Sequence, residues 1–420
     1  MAKMLATVFK AAQVGGSFLD RVVNDSPIGD PGFDGDQYLE YARLLAKGPL
    51  IRSYLVGGWS LLSFQAVNEA INEPRFSSDV LKNPIANRMY RLASKGQSSI
   101  LDNPLLLNTD PPEHRRLRKL ARSGFLHKFV QSLEPQIRQI TDECLSKVQD
   151  SRQFDLVDTL ARPLPANLIS HILGIELDER DYFKNLTEVF LRNVAVISFD
   201  SIRIADAAFG EMLDFMHIAI DKKRARPGDD LVSKLIAVEE DGDRLSPREV
   251  TNLCVLLMSA GYETTAHLIG NAVYSLLRHP DQMQYLREHT TLLPNAIEEV
   301  LRFEPPVQVV TRTALEDVVF LDKRIKKNQL LILIIAAANR DPAANENPHV
   351  FDIHRENIRH ISFGHGIHLC LGAELARLEA RVALEMMLDR FPRMGLHTET
   401  PRWEPGYSIR GLEKIVLDVA

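Results

Sequence analysis

Along residues 50 to 64, LIRSYLVGGWSLLSF, two apolar runs flank Gly57 and Gly58, the pattern of a β-hairpin. From 112 to 148, and again through 153 to 223, apolar residues return every three or four positions with charges between them, which predicts a mostly helical stretch. RLSPREV then supplies Ser246 as an N-cap, Pro247 at the first helical position and Glu249 to close a capping box. The next breaker is Pro280, so the pattern predicts a helix over 247–278, about 48 Å long at 1.5 Å per residue. A rod of that length crosses the centre of a molecule this size. A short helix follows, ending near Phe303. Beyond it PPVQVVTRTA and NQLLILIIAAANRDP are β-branched or continuously apolar and predict buried strands, with a last hairpin within 407–419. Strand-like pieces lie at both ends of the chain with helices between them, so a sheet must be assembled from distant segments. The expected fold class is mainly α with smaller β regions (α+β), in one domain spanning 1–420 with a short N-terminal lead over 1–40.

Composition narrows the class. Of 420 residues 45% are hydrophobic and 25% charged, a globular rather than a disordered balance. A formal charge of -6 gives no general attraction for nucleic acid or anionic lipid. Cys144, Cys254 and Cys370 are too few and too dispersed for a disulfide framework, which favours a reducing, cytoplasmic setting. The opening MAKMLATVFKAAQVGG is interrupted at Lys10 and falls short of the roughly 20 apolar residues that span a bilayer, so no membrane span is expected.

The densest candidate chemistry is FGHGIHLCLG, Phe363 to Gly372. Cys370 directly precedes an amphipathic run, where helix N-terminal N–H groups favour a thiolate. Gly364, Gly366 and Gly372 allow sharp turns and the close approach of something large and flat. Three readings stay open on these residues: a thiolate metal ligand, a cysteine nucleophile, and a zinc site using His365, His368 and Cys370, although the H-x2-H-x-C spacing matches no common zinc motif. In the long helix, SAGYETTAH sets Ala260, Gly261, Glu263, Thr264 and Thr265 near the middle. Glycine costs about 1 kcal/mol there and threonines bond back to preceding carbonyls, so a local opening with a carboxylate beside a hydroxyl is expected. Glu299 and Arg302 share a helical face and can pair. His114 and Arg118 are one helical turn apart and can grip one anion.

Together, in this order, these stretches resemble the cytochrome P450 family of haem-thiolate monooxygenases over about residues 50 to 415. The most specific element, Phe363-Gly364-x-Gly366-x-His368-x-Cys370-x-Gly372, is similar to the family's haem-binding loop. The resemblance implies a P450 fold with the long central helix over haem b, Cys370 as the iron ligand, and Phe363 and Gly372 in the cofactor loop. Ala260 and Gly261 then lie against the cofactor, with Glu263 and Thr264 as the acid and alcohol that serve oxygen activation. Tyr262 is a less usual filler of its position. His114, Arg118, Arg312 and His368 fall where the family binds the haem propionates. Glu299, Arg302 and Arg355 match its structural ion-pair network, which is not catalytic.

The same resemblance implies insertion of one atom of O2 into a hydrophobic small molecule, by hydroxylation or epoxidation, in a soluble monomer. Electrons would come from NAD(P)H through a ferredoxin reductase and a ferredoxin, docking near the basic HRRLRKLAR segment. Pocket walls are expected at Leu256 and Leu257, at Val307 to Val310 including Val309, at the loop around 84 to 104, at VAVIS over 194 to 198, and at Ile409. A peroxide-driven haem enzyme and a non-catalytic haem sensor are the alternatives, and neither has the same need for Glu263 and Thr264.

Overall fold

The computed structural model describes residues 36–53, 57–122, 127–194, 198–240, 242–397, 402–404 and 408–420. The expected lead over 1–40 therefore lies outside the described residues except at its end, where Asp36 caps a helix over Gln37–Lys47.

The long helix runs from Pro247 to Leu277, and both halves of its capping box are formed: the Ser246 hydroxyl accepts the Glu249 N–H and the Glu249 carboxylate accepts the Ser246 N–H. It is the axis of the largest core. The helices Pro163–Leu173, Phe199–Ala225 and Ala373–Arg390 pack against it, contributing Leu168, Phe209, Met212, Val382 and Leu384 among other buried side chains. Most of its own residues are buried, as expected of a helix apolar nearly all round.

The main sheet is assembled from distant segments, as the pattern predicted. Its strand order is Leu50–Ser53, Gly58–Leu61, Leu330–Ile334, Val309–Ala314 and Phe76–Ser77. The first two strands form the expected hairpin, with Leu50 opposite Leu61. Leu331 lies beside both Trp59, in the parallel pair, and Arg312, in the antiparallel one. The cis Pro111-Pro112 bond directly precedes the helix Glu113–Arg122, which carries His114 and Arg118.

The stretch 153 to 223 is mostly helical, as expected, and opens on one strand, Gln153–Asp155, paired with Val416–Val419, a partner too far along the chain for local periodicity to reveal. Three expectations need correction. The run NQLLILIIAAANRDP is strand only to Ile334. Its alanines Ala336 to Ala338 then close one helical turn, Ile335–Asn339, in keeping with alanine's helix preference. No hairpin forms within 407–419. A single residue, Ile415, separates Leu412–Lys414 from Val416–Val419; the first pairs with Arg402–Trp403 and the second with Met394–Leu396, in another sheet. Finally, the supposed loop around 84 to 104 contains the helices Pro84–Ala93 and Ser99–Asp102, each capped by an Asn83 or Ser98 side chain.

Among the described residues no helix is long and apolar enough to cross a membrane.

Candidate functional site

Cys370 sits in a loop built for it. Its N–H donates to the Phe363 carbonyl at 2.8 Å, closing the loop over one turn of 3-10 helix, Gly366–His368. Gly364 and Gly366 have φ of 72° and 64°, and a Cβ on Gly366 would come within 2.2 Å of the Asn72 side chain, so these two glycines are required by the backbone. The Arg377 guanidinium lies 4.4 Å above the Phe363 ring and is gripped by Glu298 at 2.5 Å, fastening the loop to the Leu293–Phe303 helix.

The helix after the loop starts at Ala373 with Gly372 as its N-cap. Its electrostatics differ from the sequence expectation. Burial pushes the Cys370 thiol up, and this outweighs the Gly372 N–H and the Arg118 and Arg377 charges that pull it down. A metal cation at the sulfur would offset that burial, since a coordinated thiol loses its proton. Cys370 as a whole residue is exposed.

The long helix carries a matching opening. Leu256, Leu257, Gly261, Glu263 and Thr264 are only partly buried and Ala260 is exposed, in the middle of a helix whose flanking turns, 250–255 and 265–273, are buried. Positions 256, 257, 260, 261 and 264 fall on one helical face. The Thr264 hydroxyl donates to the Ala260 carbonyl at 2.7 Å, the back-bond expected of threonine here. Tyr262 points away into the protein, where its hydroxyl donates to Glu188 at 2.7 Å.

Four basic side chains cluster nearby. His114 is buried, its ring centroid 4.2 Å from that of His368, and its Nδ1 has no hydrogen-bond partner. Burial, then the neighbouring His114 and Arg312, push His368 down to about 4. Burial likewise lowers His114, Arg118 and Arg312. Arg118 donates to the Leu369 carbonyl at 2.5 Å, and Arg312 is buried with one neighbouring carbonyl, that of Thr311, as its hydrogen-bond partner among the described residues. The one acid acting on this cluster, Asp110, is already held by Ser77 and Lys82 at 2.5 Å each. Four clustered basic groups, two of them buried and two partly buried, one with a ring nitrogen unpartnered among the described residues, fit a group that brings its own carboxylates.

The zinc alternative at this loop does not survive. His365 pairs with Asn72 at 3.0 Å, while His368 turns to His114. Among the described residues, the one group of His, Cys, Asp and Glu side chains with ligand atoms within 4.8 Å of one another lies elsewhere, at Glu263, His267 and Glu404. The i, i+4 spacing of the first two was visible in the sequence; Glu404, far along the chain, was not.

Glu299, Arg302 and Arg355 do meet. Arg302 makes two bonds of 2.7 Å to Glu299 with both residues fully buried, and Arg355 lies 3.3 Å from Glu299. Of the expected pocket walls, Val307 and Ile409 are joined by an isolated β-bridge and are partly exposed. Val309 is different: it is 8% exposed and packs with Tyr38, Tyr41 and Ile334 in a separate small core, because the strand's alternation turns it towards the first helix. The segment 194 to 198 lies outside the described residues at 195–197.

Comparison with known proteins agrees with this geometry. A family model for cytochrome P450 matches residues 205–402. Cytochrome P450 107B1 of Saccharopolyspora erythraea is 41% identical, covering 92% of this chain and 96% of its own length. The 6-deoxyerythronolide B hydroxylase of the same organism is 35% identical over 91% of this chain and 96% of its own. Among solved structures, P450BioI in complex with an acyl carrier protein bearing hexadec-9Z-enoic acid superposes with a TM-score of 0.85, at 32% identity, covering 92% of this chain and 99% of that one. A glycine-bent cysteine loop, an opened central helix and a cluster of two arginines and two histidines thus occur in a chain that belongs, by this likeness, to the cytochrome P450 family of haem b monooxygenases.

Proposed function

We propose that this chain hydroxylates an aliphatic carbon of a hydrophobic, acyl- or polyketide-derived substrate, with Cys370 holding the haem iron. The haem supplies activation of dioxygen; the residues of the chain bind, orient and deliver protons. His114, Arg118, Arg312 and His368 would hold the two propionates, the arginines by charge and the histidines by donating a ring N–H; burial opposes charge on all four until an anion meets them. Leu256, Leu257, Val307 and Ile409 would form the apolar wall above the cofactor plane. The substrate class is supported by the names of relatives: 6-deoxyerythronolide B hydroxylase, a polyketide-biosynthesis cytochrome P450, and P450BioI bound to an acyl carrier protein bearing hexadec-9Z-enoic acid.

The observation that carries the reading is the stripe Ala260, Gly261 and Thr264, open between the buried turns 250–255 and 265–273 of the helix, with Glu263 beside it. A carboxylate and a hydroxyl at such an opening can pass protons inwards while the rest of the helix excludes water. Electrons would come from NAD(P)H through a reductase and an acidic ferredoxin in the cytoplasm. The exposed Arg115 and Arg122, on the helix that also carries Arg118, offer such a partner a positive face despite the net charge of -6. The protein would act as a monomer in one domain.

The test is Thr264→Ala in a reconstituted system with saturating substrate. Product formed per NAD(P)H consumed should fall several-fold while oxygen consumption continues and hydrogen peroxide accumulates. Unchanged yield per electron would remove Thr264 from proton delivery.

A further inference from the structure

The cluster set apart above, Glu263, His267 and Glu404, lies on the flank of the long helix that borders the open stripe. His267 is the unusual member. Its side chain is 5% exposed, yet among the described residues Nε2 has no hydrogen-bond partner and lies 3.9 Å from Glu263 Oε1 and 3.8 Å from Glu404 Oε2. A buried imidazole nitrogen without a partner costs about 1–3 kcal/mol, so its arrangement calls for something to meet it.

The surroundings hold all three groups in place. The His267 ring lies so close to the backbone of Gly411 that a Cβ there would come within 1.7 Å of Nδ1, which fixes the ring's position. Arg162 donates to Glu404 Oε1 at 2.6 Å and leaves Oε2 facing His267. Glu188, which also lines this pocket, is engaged by the Tyr262 hydroxyl. Oriented ligands with secured outer partners are the usual construction of a metal site.

We propose that Glu263, His267 and Glu404 form a binding site for a single divalent transition-metal ion of the zinc type, with solvent in its remaining coordination position. The geometry is nearly sufficient as it stands. With His267 Nε2 at 3.9 and 3.8 Å from the two oxygens, and all three atoms within 4.8 Å of one another, a point equidistant from them lies at most about 2.5 Å from each. Zinc bonds to imidazole and carboxylate measure roughly 2.0–2.2 Å, so an inward shift of about 0.4 Å completes the site. One histidine and two carboxylates with an open position suit zinc and its neighbours better than magnesium or calcium, which prefer all-oxygen shells. Charge allows it: among the pocket-lining residues Glu188, Glu263 and Glu404 face Arg162 and Arg192, leaving an excess of acid for a cation to meet. The site shares Glu263 with the proton path proposed above, but whether it binds metal is independent of that path.

The experiment uses haem-loaded full-length protein, stripped with a chelator and then titrated with zinc chloride by isothermal calorimetry, with bound metal counted after equilibrium dialysis. One zinc per chain should bind. His267→Gln and Glu404→Gln should each weaken it by at least about 100-fold, more than the roughly 10–100-fold typical of losing an outer partner alone. Haem content and the visible spectrum establish that each variant is folded, and Glu404→Gln, the less buried change, stands in if His267→Gln does not fold. Absence of a stoichiometric site in the wild type, or equal binding by the variants, would overturn the assignment and leave any zinc to surface histidines.

Discussion

Arg302 is the residue whose removal should damage the fold most for its size. Nε and Nη2 each bond Glu299 at 2.7 Å, Nη1 donates to the Pro348 carbonyl at 2.8 Å, and the side chain is fully buried. In Arg302→Met, the Asn339 carbonyl keeps the amide of Asn345 and the Val350 carbonyl keeps Arg355, so Pro348 alone loses its only partner among the described residues. The larger loss is at Glu299, whose buried charge is left with Arg355 at 3.3 Å and the Asp352 N–H at 2.9 Å. Breaking a buried pair from one side costs about 3–5 kcal/mol, a fifth or more of the roughly 5–15 kcal/mol that holds a typical protein folded. Equilibrium urea unfolding followed by far-UV circular dichroism, with the refolding limb recorded, should show this loss. The double variant Glu299→Leu, Arg302→Met should recover more than half of it, because no uncompensated carboxylate remains. A single variant within about 1 kcal/mol of wild type, or a double variant less stable than the single, would refute the argument.

Two further outcomes follow from the same electrostatics. Arg312→Gln or His114→Ala should each speed haem transfer to apomyoglobin about 10–100-fold, the equivalent of one charge-assisted bond worth about 1.5–3 kcal/mol, and unchanged transfer would remove that residue from the propionate set. Burial raises Glu298, but the bonds from Arg377 and His360 outweigh it and hold the carboxyl at about 2. Its stabilisation is therefore complete above the ordinary 4.5 and is lost as pH falls from there through about 2. Glu298→Gln should lower the thermal midpoint at pH 7 and match wild type as the pH approaches 2; a constant difference across that range would contradict the assignment.

Much of this was legible in the residues. The capping box at Ser246, the breaker at Pro280 and the apolar run between them located the central helix to within a residue at its far end, because both ends are set by local chemistry. The loop around Cys370 was legible for the same reason: its glycines are demanded by the backbone itself. What escaped depends on distant partners. The strand Gln153–Asp155 exists through Val416–Val419, and Val309 faces the small core of the first helix rather than the pocket because of its strand register. At Cys370 the helix N-terminal attraction can be read from sequence, whereas the burial that opposes it cannot. Glu404 reaches His267 across 137 positions that no periodicity connects.

The most direct test of the central claim, that Cys370 holds a haem iron, is the carbon monoxide difference spectrum of the reduced, purified protein and of Cys370→Ser. A Soret band displaced far to the red in the wild type and lost in the variant is the predicted result. A wild-type band at the position of histidine-ligated haem, or an unchanged band in Cys370→Ser, would contradict it.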